Sequence, residues 1–129
     1  MERCPSCMAR LAGAVLCPRC QADLGSVISS EHYAQHWLAH AVRFWFEHEA
    51  ELAMSALAKS LRLKRTASAL IFCDFIVRRQ LQKVLALLAQ RQLNEAKQLL
   101  DLVRELQPDN ELLAQLQGFT AALLVNVQD

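Results

Sequence analysis

Two pairs of cysteines near the start of the chain carry its clearest chemical signal. Each pair has the form Cys-Pro-x-Cys, and nine residues separate the two pairs. A C-x-x-C turn points both sulfurs to one side, and the proline restricts the backbone to the turn. Two such turns that face each other supply four thiolates, at about 2.3 Å each, to one tetrahedral Zn²⁺. The predicted ligands are Cys4, Cys7, Cys17 and Cys20.

The same four cysteines are compatible with other chemistry, which the sequence leaves open. A rubredoxin-like iron site uses the same ligands, disulfides form in oxidising compartments, and a single C-x-x-C pair serves thiol redox chemistry. One metal ion is the most economical explanation of two matched pairs, so we predict one zinc per chain. Because the protein supplies all four ligands, no coordination position is open to water or substrate, and the predicted zinc is structural.

Residues 1–25 resemble the short bacterial zinc ribbons, in which about nine residues join two cysteine knuckles. The resemblance rests on the two C-P-x-C pairs and on the trailing Ala22-Asp23-Leu24. It departs after each pair, where that family usually has glycine and this chain has Met8 and Gln21. A segment this small buries too little surface to fold alone, so metal binding would supply its folding free energy.

The charge of this segment argues against nucleic acid as a partner. Arg3, Arg10 and Arg19 stand against Glu2 and Asp23, which leaves +1 with neutral thiols. Four thiolates and one Zn²⁺ add about −2, so the loaded segment carries about −1. The whole chain has a net charge of +1. Neither the net charge of the segment nor that of the whole chain predicts strong binding to phosphates.

Three histidines form a second candidate site on the first predicted helix. His32, His36 and His40 follow i, i+4, i+8 spacing and share a face with Arg43 and Glu47. The sequence leaves three interpretations of this face open. Adjacent histidines at this spacing can bind a transition metal. The same pattern also fits a solvated polar face of the helix or a face that lines a groove for a partner. The fourth histidine, His48, is predicted on the apolar side of this helix. That side is predicted to pack on the second helix through Trp37, Ala41, Phe44 and Trp45.

No residue set in the sequence has the pattern of a catalytic site. There is no nucleophile with a base and an orienting group, no glycine-rich phosphate loop and no pair of carboxylates in a plausible cleft. We therefore expect no catalytic residues and a protein that is not an enzyme.

A long stretch without helix-breaking residues must position these groups. No Gly or Pro occurs between Ser26 and Gln107, and the chain is 53% hydrophobic. This pattern predicts a mainly α protein, in which Ser29-Ser30-Glu31 caps the first helix. The predicted domains are a ribbon at residues 1–25 and an antiparallel helical-hairpin domain at residues 26–129. The predicted helices span residues 30–48, 50–64, 67–91, 93–106 and 109–127.

The segment from Leu88 to Asn110 resembles a tetratricopeptide repeat. A small residue, Ala96, comes early in its second helix, large apolar residues follow at helical spacing, and Pro108 closes the unit. Arg91-Gln92 replace the usual turn glycine, and Gln80 stands where the family commonly has a large aromatic residue. The apolar residues that carry the resemblance are Leu99, Leu100, Val103 and Leu106.

A weaker copy of this unit lies 43 residues upstream. Two irregular units and a terminal helix are therefore predicted. In that family the first helix of each unit contributes to a concave face that binds a partner peptide, so the resemblance implies protein binding. The corresponding residues of the weaker copy are Trp45, Ala53, Ala56, Leu57 and Leu63.

The run from Leu70 to Val77 is apolar on nearly every side, which predicts a central helix buried between its neighbours. Cys73 is then a small core residue, and Asp74 is expected to pair with Arg78 one turn later. The charges of Asp74 and Arg78 also exclude this run as a membrane span.

These observations together predict an interaction protein. We expect a non-enzymatic adaptor or assembly factor whose partner is another protein, with no membrane association. A metal-delivery protein that uses the histidine face, and a nucleic-acid-associated accessory factor that uses the ribbon, are the alternatives. The start of the chain has no signal-peptide pattern, so a cytoplasmic location is expected.

Overall fold

The computed structural model of the protein describes residues 2–128 and is mainly helical. A small cysteine-containing segment precedes five helices, which confirms the predicted fold class. Within residues 2–128 no β-strand forms, and the N-terminal segment contains only the isolated bridges Arg3–Arg10 and Leu16–Asp23. The helices are α1 (Gly25–Phe46), α2 (Ala50–Leu63), α3 (Ala67–Ala89), α4 (Leu93–Leu106) and α5 (Glu111–Gln128).

Helix α1 begins directly after the cysteine segment, several residues before its predicted start. The prediction of a cap at Ser29-Ser30-Glu31 is wrong, because these residues lie inside the helix. The Asp23 carboxylate instead accepts a hydrogen bond from the Gly25 backbone N–H at 3.0 Å. The carbonyl of Leu24 accepts the bond from the Ile28 N–H at 2.9 Å. The start of the helix is therefore organised by the residues that end the cysteine segment.

Helix α1 ends at Phe46, so His48 lies in the following turn and not in the helix as predicted. His48 has a left-handed backbone, with φ of 61°. Its N–H donates to the carbonyl of Trp45, and the Glu49 N–H donates to the carbonyl of Phe44. These two bonds form a Schellman motif, which satisfies the last carbonyls of a helix and reverses the chain.

The same turn recurs 43 residues later, between α3 and α4. Arg91 has φ of 60°, its N–H donates to Leu88, and the Gln92 N–H donates to Leu87. Arg91 therefore adopts the left-handed conformation for which glycine was expected. Helices α2 and α4 each have 14 residues and begin 43 positions apart, so the weaker copy predicted upstream has the same hairpin geometry.

Small residues allow the helices of each hairpin to approach closely. Ala53 in α2 and Ala96 in α4 are fully buried at equivalent positions. The correspondence fails at the end of the helices, because Leu63 is 39% exposed whereas Leu106 is buried. Helix α2 contacts α1, α3 and α4, and α4 also contacts α5. The helical core thus runs continuously through both hairpins.

Helix α3 is buried on one side only, so its predicted central position between neighbours is wrong. Cys73 is buried in the core as predicted, but Ile71 is 71% exposed and Phe75 is 40% exposed. The predicted ion pair of Asp74 with Arg78 does not form within residues 2–128. The carboxylate of Asp74 instead accepts a hydrogen bond from the Gln107 side chain at 2.7 Å.

The cysteine segment has a small core of its own. Leu11 and Leu24 are buried together with Cys4 and Cys17, and Ile28 on the first turn of α1 packs against them. The helical body has a separate core that begins with Ala41 on α1. Loss of the small core therefore exposes little of the large one.

One buried hydroxyl joins α1 to α2 and generates a stability prediction. Ser60 is fully buried and donates a hydrogen bond to the carbonyl of Ala34 at 2.6 Å. We expect Ser60→Ala to lower the free energy of unfolding by about 1 kcal/mol, the usual net value of one hydrogen bond. Ser55→Ala, at an exposed position of the same helix, is the matched control and should change it little. Urea unfolding followed by circular dichroism measures both, and equal effects would contradict the assignment.

Candidate metal centre and helical groove

The first cysteine knuckle is held by three backbone hydrogen bonds. The Cys4 N–H donates to the carbonyl of Ala9, and the Met8 N–H donates back to the carbonyl of Cys4, both at 2.9 Å. The Leu11 N–H donates to the carbonyl of Glu2 at 3.0 Å. Met8 has φ of 64°, so the chain turns through a left-handed residue directly after the cysteine pair.

The second knuckle repeats each of these bonds 13 positions later. The Cys17 N–H donates to Ala22, the Gln21 N–H donates to Cys17, and the Leu24 N–H donates to Val15. Gln21 has φ of 59°. The two knuckles therefore have the same fold although the expected glycine is absent from both.

The two knuckles bring all four cysteine sulfurs together. Their Sγ atoms lie within 4.8 Å of one another, and among residues 2–128 they form the one group of three or more ligand side chains found at such distances. Cys4 and Cys20 are 3.6 Å apart, and Cys7 and Cys17 are 3.5 Å apart. Sulfurs 2.3 Å from a tetrahedral ion lie about 3.8 Å from each other, whereas a disulfide requires about 2.05 Å. The geometry therefore fits four ligands of one metal ion.

Backbone amides stabilise the first thiolates of this site. A hydrogen bond from the Cys7 amide lowers the pKa of Cys4, and burial raises it. The effect of the amide is the larger, so the pKa of Cys4 is lowered. The Cys20 amide likewise lowers the pKa of Cys17 to about 6. The Ala22 amide favours the thiolate of Cys20, but burial and the three neighbouring sulfurs together raise its pKa to about 12. Four adjacent thiolates thus require a cation among them, which a divalent metal supplies.

The buried leucines of the knuckles were not predicted as part of the site. Leu11 and Leu24 occupy equivalent positions and close the small core behind Cys4 and Cys17. The sequence contains the signal, because Ala9-Arg10-Leu11 follows the first pair as Ala22-Asp23-Leu24 follows the second. The repeat is therefore a unit of eight residues that includes one metal-binding pair and one core leucine.

The histidine face is exposed or half-buried, and its side chains bond to one another. The Arg43 guanidinium lies 3.0 Å from Nδ1 of His40, and Nε2 of His40 lies 3.1 Å from Nε2 of His36. Because arginine only donates, Nδ1 of His40 is an acceptor and the proton of the neutral ring is on Nε2. Burial, followed by the charges of His36 and Arg43, lowers the pKa of His40. The ring nitrogen that would bind a metal beside His36 is thus used as a donor.

The remaining residues of the predicted partner face have different surroundings. Arg43 also lies 3.9 Å from Glu47 in an exposed ion pair, and His32 contacts the ring of Tyr33. Of the residues predicted to be buried on the other side of the helix, Ala41 is buried, whereas the large aromatics are only partly buried against the core. These aromatics are Trp37, Phe44 and Trp45.

A groove of about 610 Å³ lies between the C-terminal end of α1 and helix α3. Trp45 meets Phe75 edge to face there, with ring centroids 5.7 Å apart. Phe46 also lines the groove and is 76% exposed. None of the five residues of the predicted partner face lines it, so the groove is a different surface of α1. The polar residues of its lining are His48, Arg79, Gln80, Gln82 and Lys83.

Gln80 is the buried polar residue of this groove. It is 4% exposed, and its side-chain oxygen has no hydrogen-bond partner within the described part of the chain. A buried acceptor without a partner costs about 1–3 kcal/mol. The sequence singled out this position because glutamine replaces a large aromatic residue there, but it gave no indication that the side chain lines a groove.

Comparison of the chain with protein-family models, with curated proteins and with solved structures finds no match in any of the three. None of the helices within residues 2–128 combines the length and apolar character that crossing a membrane requires. The site geometry is therefore the basis for proposing a function.

The left-handed residues after each cysteine pair generate a prediction about metal affinity. We expect Met8→Gly and Gln21→Gly each to tighten metal binding about two- to fivefold, because glycine removes a left-handed strain of about 1–2 kcal/mol and loses part of that gain to chain entropy. Competition with a chromophoric chelator measures the affinity. Ser6→Gly in the first knuckle is the control and should not tighten binding. Unchanged or weaker binding in both glycine variants would show that these residues are not strained.

Proposed function

We propose that the protein is a non-enzymatic adaptor or assembly factor, in which a structural zinc ribbon precedes a tetratricopeptide-repeat-like body that binds another protein. The observation that carries the proposal is the aromatic groove between α1 and α3. A large aromatic side chain that is 76% exposed, as Phe46 is, has apolar area that a partner can remove from water. The groove lies between the first helices of the two hairpins, where such repeats form their binding face.

The zinc assignment rests on the donor set. Four sulfurs at tetrahedral spacing complete the coordination of one ion and leave no position for a substrate. Zinc is favoured over iron because knuckles of this kind are common structural zinc sites, and iron is the outcome that metal analysis would distinguish. The metal is proposed to fold the ribbon and to take no part in a reaction.

The repeat assignment rests on the two equivalent hairpins. Both have a Schellman turn, a 14-residue second helix and a buried alanine early in that helix. The 43-residue offset exceeds the 34 residues of a regular tetratricopeptide repeat, so the body is proposed to be an irregular member of that architecture.

The histidine face gives little support to metal delivery. A metal bound by His36 and His40 needs an unprotonated nitrogen from each ring, and Arg43 holds the proton of His40 on the nitrogen that would bind. The guanidinium also repels a cation at that point. We therefore prefer the adaptor function to metal delivery.

The ribbon prediction concerns metal content. Protein expressed without added metal is expected to contain about one zinc per chain by elemental analysis, and Cys17→Ser should remove most of it. Helix content by circular dichroism should be largely retained in that variant, because the cores of the ribbon and the helical body are separate. Bound iron, or zinc that persists in Cys17→Ser, would contradict the assignment. A general loss of helix would show that the ribbon supports the whole fold.

The adaptor prediction concerns partner capture from the native cell. Phe46→Ala is expected to reduce recovery of partner proteins about tenfold, as loss of an aromatic anchor does, with little change in the melting temperature. Phe119→Ala is the matched control, because Phe119 is 55% exposed on α5 and lies outside the groove. Reversal of both charges, Arg43 and Glu47, tests the histidine face in the same assay.

Nuclease treatment before capture separates proteins bound directly from those bound through nucleic acid. Partners that persist after nuclease and are lost in Phe46→Ala support the proposal. Partners that disappear with nuclease would favour the nucleic-acid accessory function. Loss of partner proteins only in the variant with reversed charges at Arg43 and Glu47 would indicate that partners bind the histidine face.

A further inference from the structure

The charges that line the α1–α3 groove are all of one sign. Arg79 and Lys83 lie one helical turn apart on α3, and the lining contains no Asp or Glu. Neither cation forms an ion pair within residues 2–128. Their charge is therefore not neutralised by the protein, although the whole chain carries only +1. An acidic ligand would supply the missing counter-charge.

Aromatic rings lie beside these cations. The guanidinium of Arg79 is 5.6 Å from the centroid of the Phe75 ring, and this ring also packs against Trp45. The contact holds the arginine next to the apolar part of the groove. A ligand that fits this arrangement has an apolar side chain flanked by carboxylates.

Gln80 adds a third feature at the same place. It precedes Lys83 by almost one helical turn, its side chain is buried among the groove residues, and its oxygen lacks a hydrogen-bond partner in the described part of the chain. An apolar residue at this position would fill the same space in the core without leaving a hydrogen-bond acceptor unpaired. The side chain is thus unfavourable for stability where it lies, and its oxygen is covered from solvent, so the amide must turn toward the groove to pair with a donor on a ligand.

We propose that the groove binds an acidic peptide segment with an apolar anchor, and that Gln80 is a specificity residue which hydrogen-bonds a donor of that segment. This inference rests on the proposed adaptor function and names the chemistry of its partner. Arg79 and Lys83 pair with the carboxylates, and the apolar anchor lies against Phe46 and Phe75. The amide of Gln80 turns toward the groove, and its oxygen accepts a hydrogen bond from an N–H or O–H of the peptide.

A peptide fits this groove better than the other anionic ligands. Nucleic acids are bound through many phosphate contacts along a basic track, and the groove offers two cations. Anionic membranes attract clusters of four or more basic residues, again more than the groove contains. Two cations beside an aromatic groove match a short acidic segment in which one apolar residue enters the groove and the carboxylates remain at its edge.

The test starts with a displayed library of random peptides selected against the full-length, metal-loaded protein. We expect the enriched peptides to combine Asp or Glu with a large apolar residue. Fluorescence anisotropy with one synthesised peptide then compares variants of the protein. Arg79→Glu with Lys83→Glu should weaken binding more than tenfold and, in a repeated selection, enrich basic peptides. Arg78→Glu is the matched control, because Arg78 is exposed on the same helix but does not line the groove.

Gln80→Leu gives a readout that a structural role alone would not produce. We expect the melting temperature to rise or stay unchanged, while the selected peptide binds at least about tenfold more weakly. If Gln80→Leu lowers the melting temperature and leaves peptide binding unchanged, the assignment of Gln80 is wrong.

The outcomes separate this inference from the adaptor function. Enriched basic or neutral peptides that still depend on Phe46 would refute the acidic ligand and leave the groove as a binding site. Peptides unaffected by every groove variant would refute the groove as the peptide site, and partner capture with Phe46→Ala would then decide the adaptor function separately. The same variants are tested against vesicles that contain phosphatidylserine and against single-stranded DNA. Binding to either that is lost in the Arg79 and Lys83 variant, with no peptide enriched, would overturn the inference.

Discussion

The helical body depends on the burial of α2 against its neighbours. Helix α2 packs on α1, α3 and α4, whereas α1 and α3 meet mainly where Trp45 reaches Phe75. The buried alanine and leucine at positions 53 and 57 bring the helices close, and the buried hydroxyl of Ser60 fixes α1 against α2. Because α1 and α3 rest on this common support without packing along their lengths, a groove remains between them. The aromatic surface is therefore a consequence of how α2 is buried.

Much of this arrangement can be predicted from the sequence. The absence of Gly and Pro over some eighty residues predicted α2, α3 and α4 to within a few residues of their observed bounds. The spacing of the cysteines likewise predicted which side chains come together. Contacts between distant residues were not predictable, because they depend on packing. The partner of Asp74 is Gln107, 33 positions away, and Ile71 is exposed because none of the helices described within residues 2–128 covers that side of α3.

Four of the turns use residues that sequence rules do not favour. Met8, Gln21, His48 and Arg91 all have left-handed backbones, where glycine is the common choice. In each case backbone hydrogen bonds on both sides of the residue determine the conformation, so the turn forms despite the local cost. Glycine alone therefore does not locate these turns, whereas the 13-residue and 43-residue spacings do. Equivalent positions in the two copies were a better guide to these turns than residue type.

The four-cysteine cluster and the groove lie at opposite ends of one helix. The cysteine segment leads directly into α1 without a linker, since Leu24 belongs to the small core and immediately precedes the first helical residue, Gly25. Helix α1 has 22 residues, which corresponds to a length of about 33 Å. A single short ligand therefore cannot contact both ends. If one ligand were bound at each end, the helix would set the distance between them and raise the effective concentration of each relative to the other.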